Sequence, residues 1–292
     1  MTRGIQFPMF APQTEWVMPD GLKDLTGYKE IAIDLETNDP GLITSGSGSV
    51  VGRGHIAGIA VAVEGWSGYY PIQHENGGNI DKKLVFGWLQ EILNQENTTF
   101  IFHNAMYDVC WLRAAGLIIK GKIVDTMIAA SLVNENRFKF DLNSLAKEYV
   151  GIGKDENVLR IAAKDFGVDP KAEMWRMPAM YVGEYAERDA EVTLKLWQRL
   201  SIELHNEELM DIFNLETKLF PCLVDMRFKG VRVDLEHAAK LKKNLIIRED
   251  KILKNIKDLV GFDIEINAAR SIAKGFDKLK LPYDRTEKSN EP

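Results

Sequence analysis

The sequence predicts an α/β domain built on a mixed sheet, followed by a helical tail. Three observations lead there. Short apolar runs alternate with stretches of helical periodicity along the first part of the chain. Two of the runs, His55 to Val63 and Gly68 to Ile72, are joined across a Gly-containing turn, which makes part of the sheet antiparallel. Beyond about residue 210 the strand signals stop and two long helical stretches dominate.

The first strand is Glu30 to Thr37, an apolar run that ends in acidic residues. Asn38 to Ser49, rich in Gly and Ser, reads as a loop. The hairpin follows, and then Asp81 to Leu93 carries Leu84, Val85, Trp88, Leu89 and Ile92 at helical spacing. Thr98 to Phe102 is a buried strand, and Ala105 to Ala114 a second helix. Ile123-Val124-Asp125-Thr126 leads into a helix over Met127 to Leu132, and Asp141 caps another over Leu142 to Tyr149. Gly151 to Met177 is polar and interrupted, which suits short helices and loops. A long helix begins after Pro178 and carries Tyr185, Asp189, Leu194 and Leu196. In the tail, Ile212 to Arg227 and Leu235 to Leu259 are helical, separated by Lys229-Gly230-Val231-Arg232-Val233-Asp234.

Composition narrows the function classes. The 292 residues are 45% apolar, with 37 Lys+Arg against 43 Asp+Glu, a net charge of −6. That excludes a disordered tail, a collagen-like fibre and a disulfide miniprotein. A pI near 5.5 argues against a protein that grips nucleic acid by bulk charge. The charge is unevenly spread, however: residues 211–292 carry a net +3 and the rest a net −9, a hint of an acidic partner on one side. Cys110 and Cys222 each sit among apolar residues and read as buried, reduced thiols. Met1 to Pro12 lacks the apolar stretch of a secretory signal, and no window is apolar enough to span a bilayer. The expectation is a cytoplasmic protein with no membrane partner.

Four acidic residues stand where chemistry would need them. Asp34 and Glu36 are two apart on a strand, so their side chains share a face, at the end where an α/β sheet opens toward its ligand crevice. Asp108 follows the second buried strand, and Asp189 lies on the long helix with Tyr185 one turn earlier on the same face. Gathering carboxylates in one cleft is opposed by like-charge repulsion, which a divalent cation with oxygen ligands removes. Two such ions about 3.5–4 Å apart stabilise the attacking and leaving oxygens of a phosphoryl displacement. Taken singly, each residue has a plainer reading. An Asp-x-Glu at a strand end is common, Asp108 and Asn104 serve equally as helix caps, and Asp189 as a solvated helical charge. His55, His74 and His103 have no ligand-like spacing, so no zinc is expected.

Jointly the segments resemble a known pattern. Asp34-Leu35-Glu36, Asn104-Ala105-Met106-Tyr107-Asp108 and Tyr185-Ala186-Glu187-Arg188-Asp189 look like the three exonuclease motifs of the DEDD superfamily. The tyrosine four residues before the last aspartate points to its DEDDy branch. Within it the chain resembles the 3′–5′ proofreading region of bacteriophage and bacterial family A DNA polymerases. Phe102-His103-Asn104, Val124-Asp125-Thr126-Met127 and Asp141-Leu142-Asn143-Ser144-Leu145-Ala146 add to the likeness, which runs from about Gly21 to near the end. Glu216 to Asp234 resembles the start of a polymerase thumb.

The resemblance implies a ribonuclease H-like fold, with an N-terminal extension over 1–20, a nuclease domain over 21–208 and a partial helical thumb over 209–292. It implies two divalent ions, Mg²⁺ or Mn²⁺. Asp34, Glu36 and Asp189 would hold one of them, and Asp34 would bridge to the second, with Asp108 near it through water. Tyr185 would orient the attacking water. Thr37, Asn104 and Tyr107 would hold the terminal nucleotides, although Tyr107 reads equally as a core residue. The substrate would be single-stranded DNA or a frayed primer 3′ end, cut to nucleoside 5′-monophosphates in a bacterial or phage-infected cytoplasm. Family A polymerases continue into palm and fingers, whereas this sequence stops at Arg285 to Pro292. No polymerase site is therefore expected in it, and the reading is a fragment or a split gene whose polymerase half is a separate polypeptide partner. Two rival readings are an RNA 3′-end trimmer and a DNA- or polymerase-docking module without activity. The docking module would have lost a carboxylate, and none is missing.

Overall fold

The computed structural model describes residues 13–153 and 156–285. Residues 1–12 of the expected N-terminal extension, and the end of the chain from residue 286, lie outside the described residues. The chain divides into two compact units, Met1–Lys229 and Gly230–Pro292.

The first unit is organised around five strands: β1 (Glu30–Asn38), β2 (His55–Val63), β3 (Trp66–Pro71), β4 (Thr99–Phe102) and β5 (Lys122–Asp125). Their order in the sheet is β3-β2-β1-β4-β5. β1, β2 and β3 pair antiparallel, whereas β4 and β5 join β1 in parallel, so the sheet is mixed as expected. The C-terminal ends of β1, β4 and β5 consequently lie at one edge, where an α/β sheet places its ligand crevice.

Alternation along β1 assigns each residue to a face. Ile31, Ile33 and Leu35 join a fully buried cluster with α2 (Lys82–Leu93), α3 (Ala105–Ala114) and part of α8 (Met210–Lys229). Ala32 faces the other way, into a cluster with Ala60, Ala62 and residues of α4 (Thr126–Val133), α5 (Leu142–Tyr149), α6 (Asn157–Phe166) and α7 (Gly183–Asn206). The alanines on this face meet Ala186 and Ala190 of α7, all fully buried. Small residues on both sides let the helix come close to the sheet, so the short acidic side chains of each can meet.

The sequence also fixes the helix starts. The Asp81 carboxylate accepts from Lys83 N and Leu84 N to open α2, and Asp141 accepts from Ser144 N at 3.0 Å to open α5. Residues 13–20 run across the start of α7. The Trp16 ring fills the space a Cβ would take at Gly183, and its Nε1 donates to Glu187 at 2.8 Å.

Three local differences from the sequence reading appear. The Asn38–Ser49 loop contains a single helical turn, α1 (Leu42–Ser45). Ile123–Asp125 is not merely the approach to a helix but most of the edge strand β5. Cys110 is buried, but Cys222 is exposed, because its place on α8 turns it away from the core that Phe220 and Val224 enter.

The second unit is helical. Asp234 caps α9 (Leu235–Val260) by accepting from His237 N, and Gly261 ends it at φ 87°. A further helix, α10 (Ala269–Leu279), was not foreseen; it meets α9 around Val260 and Ala273. No helix among the described residues is long and apolar enough to cross a membrane.

Candidate active site

Asp34 and Glu36 project from the face of β1 that α7 covers, the face Ala32 shares. Both are half-buried. The register places Asp34 beside Ala60, which in turn pairs with Tyr69, and Glu36 beside Gly58. Between Glu36 and Thr37 the pairing with β2 slips, a bulge that re-aims the end of β1 as bulges near active sites do.

Gly58 is small for a reason. A Cβ there would stand 2.0 Å from the Tyr69 hydroxyl, so the phenol crosses the sheet to the position opposite Glu36. Tyr69 is fully buried and donates to His74 Nε2 at 2.6 Å, while His74 Nδ1 donates to the Met177 carbonyl at 2.9 Å. The carbonyl can only accept, which fixes the tautomer. Burial holds the His74 imidazole down at about 4. Burial, then the Glu36 and Asp34 charges, push the Tyr69 phenol well above its usual range.

Asp108 arrives from the other side. β4 pairs with β1 only as far as Ala32, so beyond it β1 has an open flank. Asp108, on the first turn of α3 and 4% exposed, fills that opening: its Oδ1 accepts from Leu35 N at 3.1 Å. Burial and then the Asp34 charge push its carboxyl well above the ordinary range, against the pull of the Leu35 amide.

α7 supplies the last members. Asp189 is 4% exposed, and Tyr185 lies one turn before it and hydrogen-bonds it. Burial, then Asp189, Glu36 and Asp34 in that order, drive the Tyr185 phenol far above its usual range. Tyr185 thus faces all three carboxylates and keeps its proton. Glu187 points away from them and accepts Tyr69 N at 2.9 Å, tying α7 to β3.

The outer residues form a separate chain of bonds. The Thr37 hydroxyl donates to Tyr107 Oη at 2.6 Å, and the Tyr107 hydroxyl donates to Asp39 Oδ2 at 3.3 Å. Asp39 also accepts Gly48 N at 3.1 Å, which anchors the loop after β1. Tyr107 is half-buried and edge-on to Trp111, so it has both a core side and a site side. Asn104 precedes α3 and is exposed.

The structure therefore brings Asp34, Glu36, Asp108, Tyr185 and Asp189 to one end of the sheet, with Thr37, Asn104 and Tyr107 around them. Asp39, Tyr69 and His74 were not read as part of the site; His74 had been weighed only as a metal ligand. Their signal was weak, since Tyr69 and His74 lie in an ordinary strand-and-turn segment and meet the site only through sheet register. Among the described residues no three His, Cys, Asp or Glu side chains form a ready ligand cage. The donor chemistry nonetheless fits a divalent cation. All four groups offer oxygen, two are deeply buried, and the repulsion that raises Asp108 is what bound positive charge relieves.

Known proteins resemble this chain in sequence and in fold. A family model described as 3′-5′ exonuclease matches residues 11–205. Among the curated relatives, a DNA-directed DNA polymerase of Pseudomonas phage M6 is 34% identical over 271 residues, 90% of this chain and 40% of that protein. DNA polymerase I of Pseudomonas aeruginosa is 28% identical over 275 residues, 89% of this chain and 28% of that one. The chain thus spans about 40% or less of the length of these polymerases. Among solved structures, the POL domain of Pol1 from M. smegmatis, in complex with DNA primer-template and dNTP, superposes with a TM-score of 0.63 at 17% identity. That match covers 91% of this chain and 40% of the other. NrnC of Brucella melitensis with bound Mg²⁺ gives 0.51 at 19% identity, over 73% of this chain and 92% of that one. At such identities the structures speak to the fold alone, and the fold is that of ribonuclease H-like exonucleases.

Proposed function

The chain belongs to the 3′–5′ exonuclease family of family A DNA polymerases, and from that premise we propose a DEDDy, two-metal exodeoxyribonuclease that shortens single-stranded or frayed DNA 3′ ends. The observation that carries the reading is the meeting of carboxylates from three separate elements: β1, α3 and α7. Asp34, Glu36 and Asp189 would hold one divalent ion, and Asp34 would bridge to the second, with Asp108 near it through water. Bound there, Mg²⁺ or Mn²⁺ supplies the positive charge that stabilises the attacking and leaving oxygens.

The protein's own groups do the rest. The Leu35 amide holds Asp108 in place. Tyr185, kept neutral by its surroundings, offers a hydroxyl that orients the attacking water without taking its proton. Water's oxygen bonds to the phosphorus of the last phosphodiester as the bond to the 3′ oxygen breaks. That releases a nucleoside 5′-monophosphate and leaves a 3′-hydroxyl. Thr37, Asn104 and Tyr107 border the site and would grip the terminal nucleotides. A single strand is required, because the scissile phosphate must reach the carboxylates at the sheet end.

Residues 21–208 are read as the nuclease and 209–292 as the start of a thumb, whose first helix, α8, packs on the nuclease unit. The polymerase relatives extend well beyond the matched length, so the natural setting proposed is proofreading beside a polymerase, on the same or a separate polypeptide, in a bacterial or phage-infected cytoplasm. Incubation of 5′-labelled single-stranded DNA with Mg²⁺ or Mn²⁺ should give a ladder shortened from the 3′ end. An intact substrate, or equal degradation by Asp34→Ala, overturns the reading. A matched RNA strand, degraded as fast or faster, would reassign the substrate.

A further inference from the structure

Asp125 closes β5 and opens α4, but its carboxylate serves two helices. Oδ1 accepts from Met127 N at 2.8 Å, the ordinary cap of α4. The same oxygen accepts from Asn104 N at 3.0 Å, and Oδ2 from Ala105 N at 2.8 Å, both at the start of α3. Asp125 is 8% exposed, and without it the fully buried Ala105 would lose the acceptor of its amide. A second set of bonds joins the same two turns. The Thr126 hydroxyl donates to the Phe102 carbonyl at 3.1 Å and accepts from His103 Nδ1 at 2.8 Å.

An asparagine in the Asn104 position ordinarily caps its own helix through its side chain. Asn104 does not. It stands at φ 63° and ψ 52°, a left-handed backbone that asparagine tolerates, and makes no side-chain cap. Its side-chain amide has no hydrogen-bond partner among the described residues and is exposed. It directly precedes α3, four residues before Asp108 in sequence. The amides of Asn104 and Ala105, where α3 opens, are therefore held by a carboxylate that lies 21 positions further along the chain.

We propose that Asp125 is a positioning residue for the substrate: it fixes the Asn104 and Ala105 amides, holds Asn104 left-handed, and so presents the Asn104 side-chain amide to the 3′-terminal nucleotide. The inference rests on the exonuclease reading for the nature of the ligand. Asn104 makes the contact, and Asp125 acts through it.

The test is a double-mutant cycle on the full chain, read by equilibrium binding of a fluorescent oligothymidylate in EDTA, where no cleavage occurs. Asn104→Gly removes the amide while allowing the same backbone. Asp125→Ser keeps a local cap for α4 but is too short to reach α3; Asp125→Asn serves as the near-isosteric second variant. Each single change should weaken binding about 3- to 10-fold, the size of one lost hydrogen bond. Adding either Asp125 change to Asn104→Gly should weaken it no further. Full additivity, unchanged binding in folded Asp125 variants, or no binding by wild type overturns the proposal. Failure of the exonuclease reading shows up separately, as wild type that binds the strand but does not shorten it with Mg²⁺.

Discussion

Asp108 Oδ1 accepts the Leu35 amide at 3.1 Å, so the acidic residue of α3 is fastened to the backbone between Asp34 and Glu36. The bond sets the distance between the carboxylates, and it does so against their repulsion. Asp108 is buried, and its carboxyl is raised by that burial and by Asp34.

Asp108→Asn separates the two roles of this residue, because the amide oxygen retains the Leu35 bond and loses the charge. A carboxyl whose folded value lies above its unfolded one disfavours folding once the pH exceeds the unfolded value, near 3.9. Without divalent ions at pH 7 the variant should melt higher than wild type by about 2–4 °C, roughly 1 kcal/mol in a domain of this size. The gap should close below pH 4, where the carboxyl is protonated in both states, and should narrow with added Mg²⁺. Strand cleavage should fall at least about 100-fold, as for loss of a group that positions transition-state charge. A variant less stable than wild type at pH 7 would show that the Asp108 charge is already compensated.

Tyr185→Phe tests a neutral phenol. Its proton is held far into the alkaline range by burial and three carboxylates, so Tyr185 contributes no ionisation to the rate between pH 6 and 10. The variant should lose about 10- to 100-fold in kcat, one hydrogen bond to the reacting water. Its pH–rate curve should lie lower with both limbs in place. Disappearance of the alkaline limb would make Tyr185 a titrating base instead.

Much of this arrangement was legible in the sequence, for identifiable reasons. β1 announced itself because three apolar residues and two acidic ones obey a period of two, and that same period places Asp34 and Glu36 on the α7 face. Tyr185 and Asp189 share a face because helical spacing is local. β5 was missed because four residues are too few to display a period, and its strand character comes from pairing with β4. α10 went unread although its eleven residues are amphipathic, with Arg270, Lys274 and Lys278 four apart along one face. Cys222 was misread because apolar neighbours in sequence say nothing about which side of a helix is turned inward. Tyr69 above Gly58 and Asp125 beneath Asn104 depend on chain segments brought together by folding, and no local pattern encodes them.

Gly58→Ala probes the packing beneath Glu36. The new methyl would stand 2.0 Å from the Tyr69 hydroxyl and 2.2 Å from Cζ, in a part of the core with no free space. Either the ring or the strand must move, and overpacking of this kind costs about 1–3 kcal/mol or more. Urea unfolding should report that loss. Tyr69→Phe in the same chain should not restore it, since Cζ remains in the way. A rescued double variant would show that the hydroxyl alone is in conflict.

His74 gives stability a pH dependence of opposite sign to that of Asp108. Its imidazole is held at about 4 by burial, whereas the unfolded chain takes up the proton near 6.5. As the pH falls through that interval the unfolded state binds a proton that the folded state refuses, so folding weakens. The slope from this one group approaches 1.4 kcal/mol per pH unit, about 3 kcal/mol in total by pH 4. His74→Gln removes the titration while keeping a donor and an acceptor for Met177 and Tyr69. Acidic groups such as Asp108 are common to both proteins and cancel in the difference between them. Denaturant titrations at pH 7, 5.5 and 4 should therefore show wild type losing ground to His74→Gln progressively below about pH 6.5. A constant difference across those three conditions would mean that the buried imidazole takes up its proton in the folded protein as readily as in the unfolded chain.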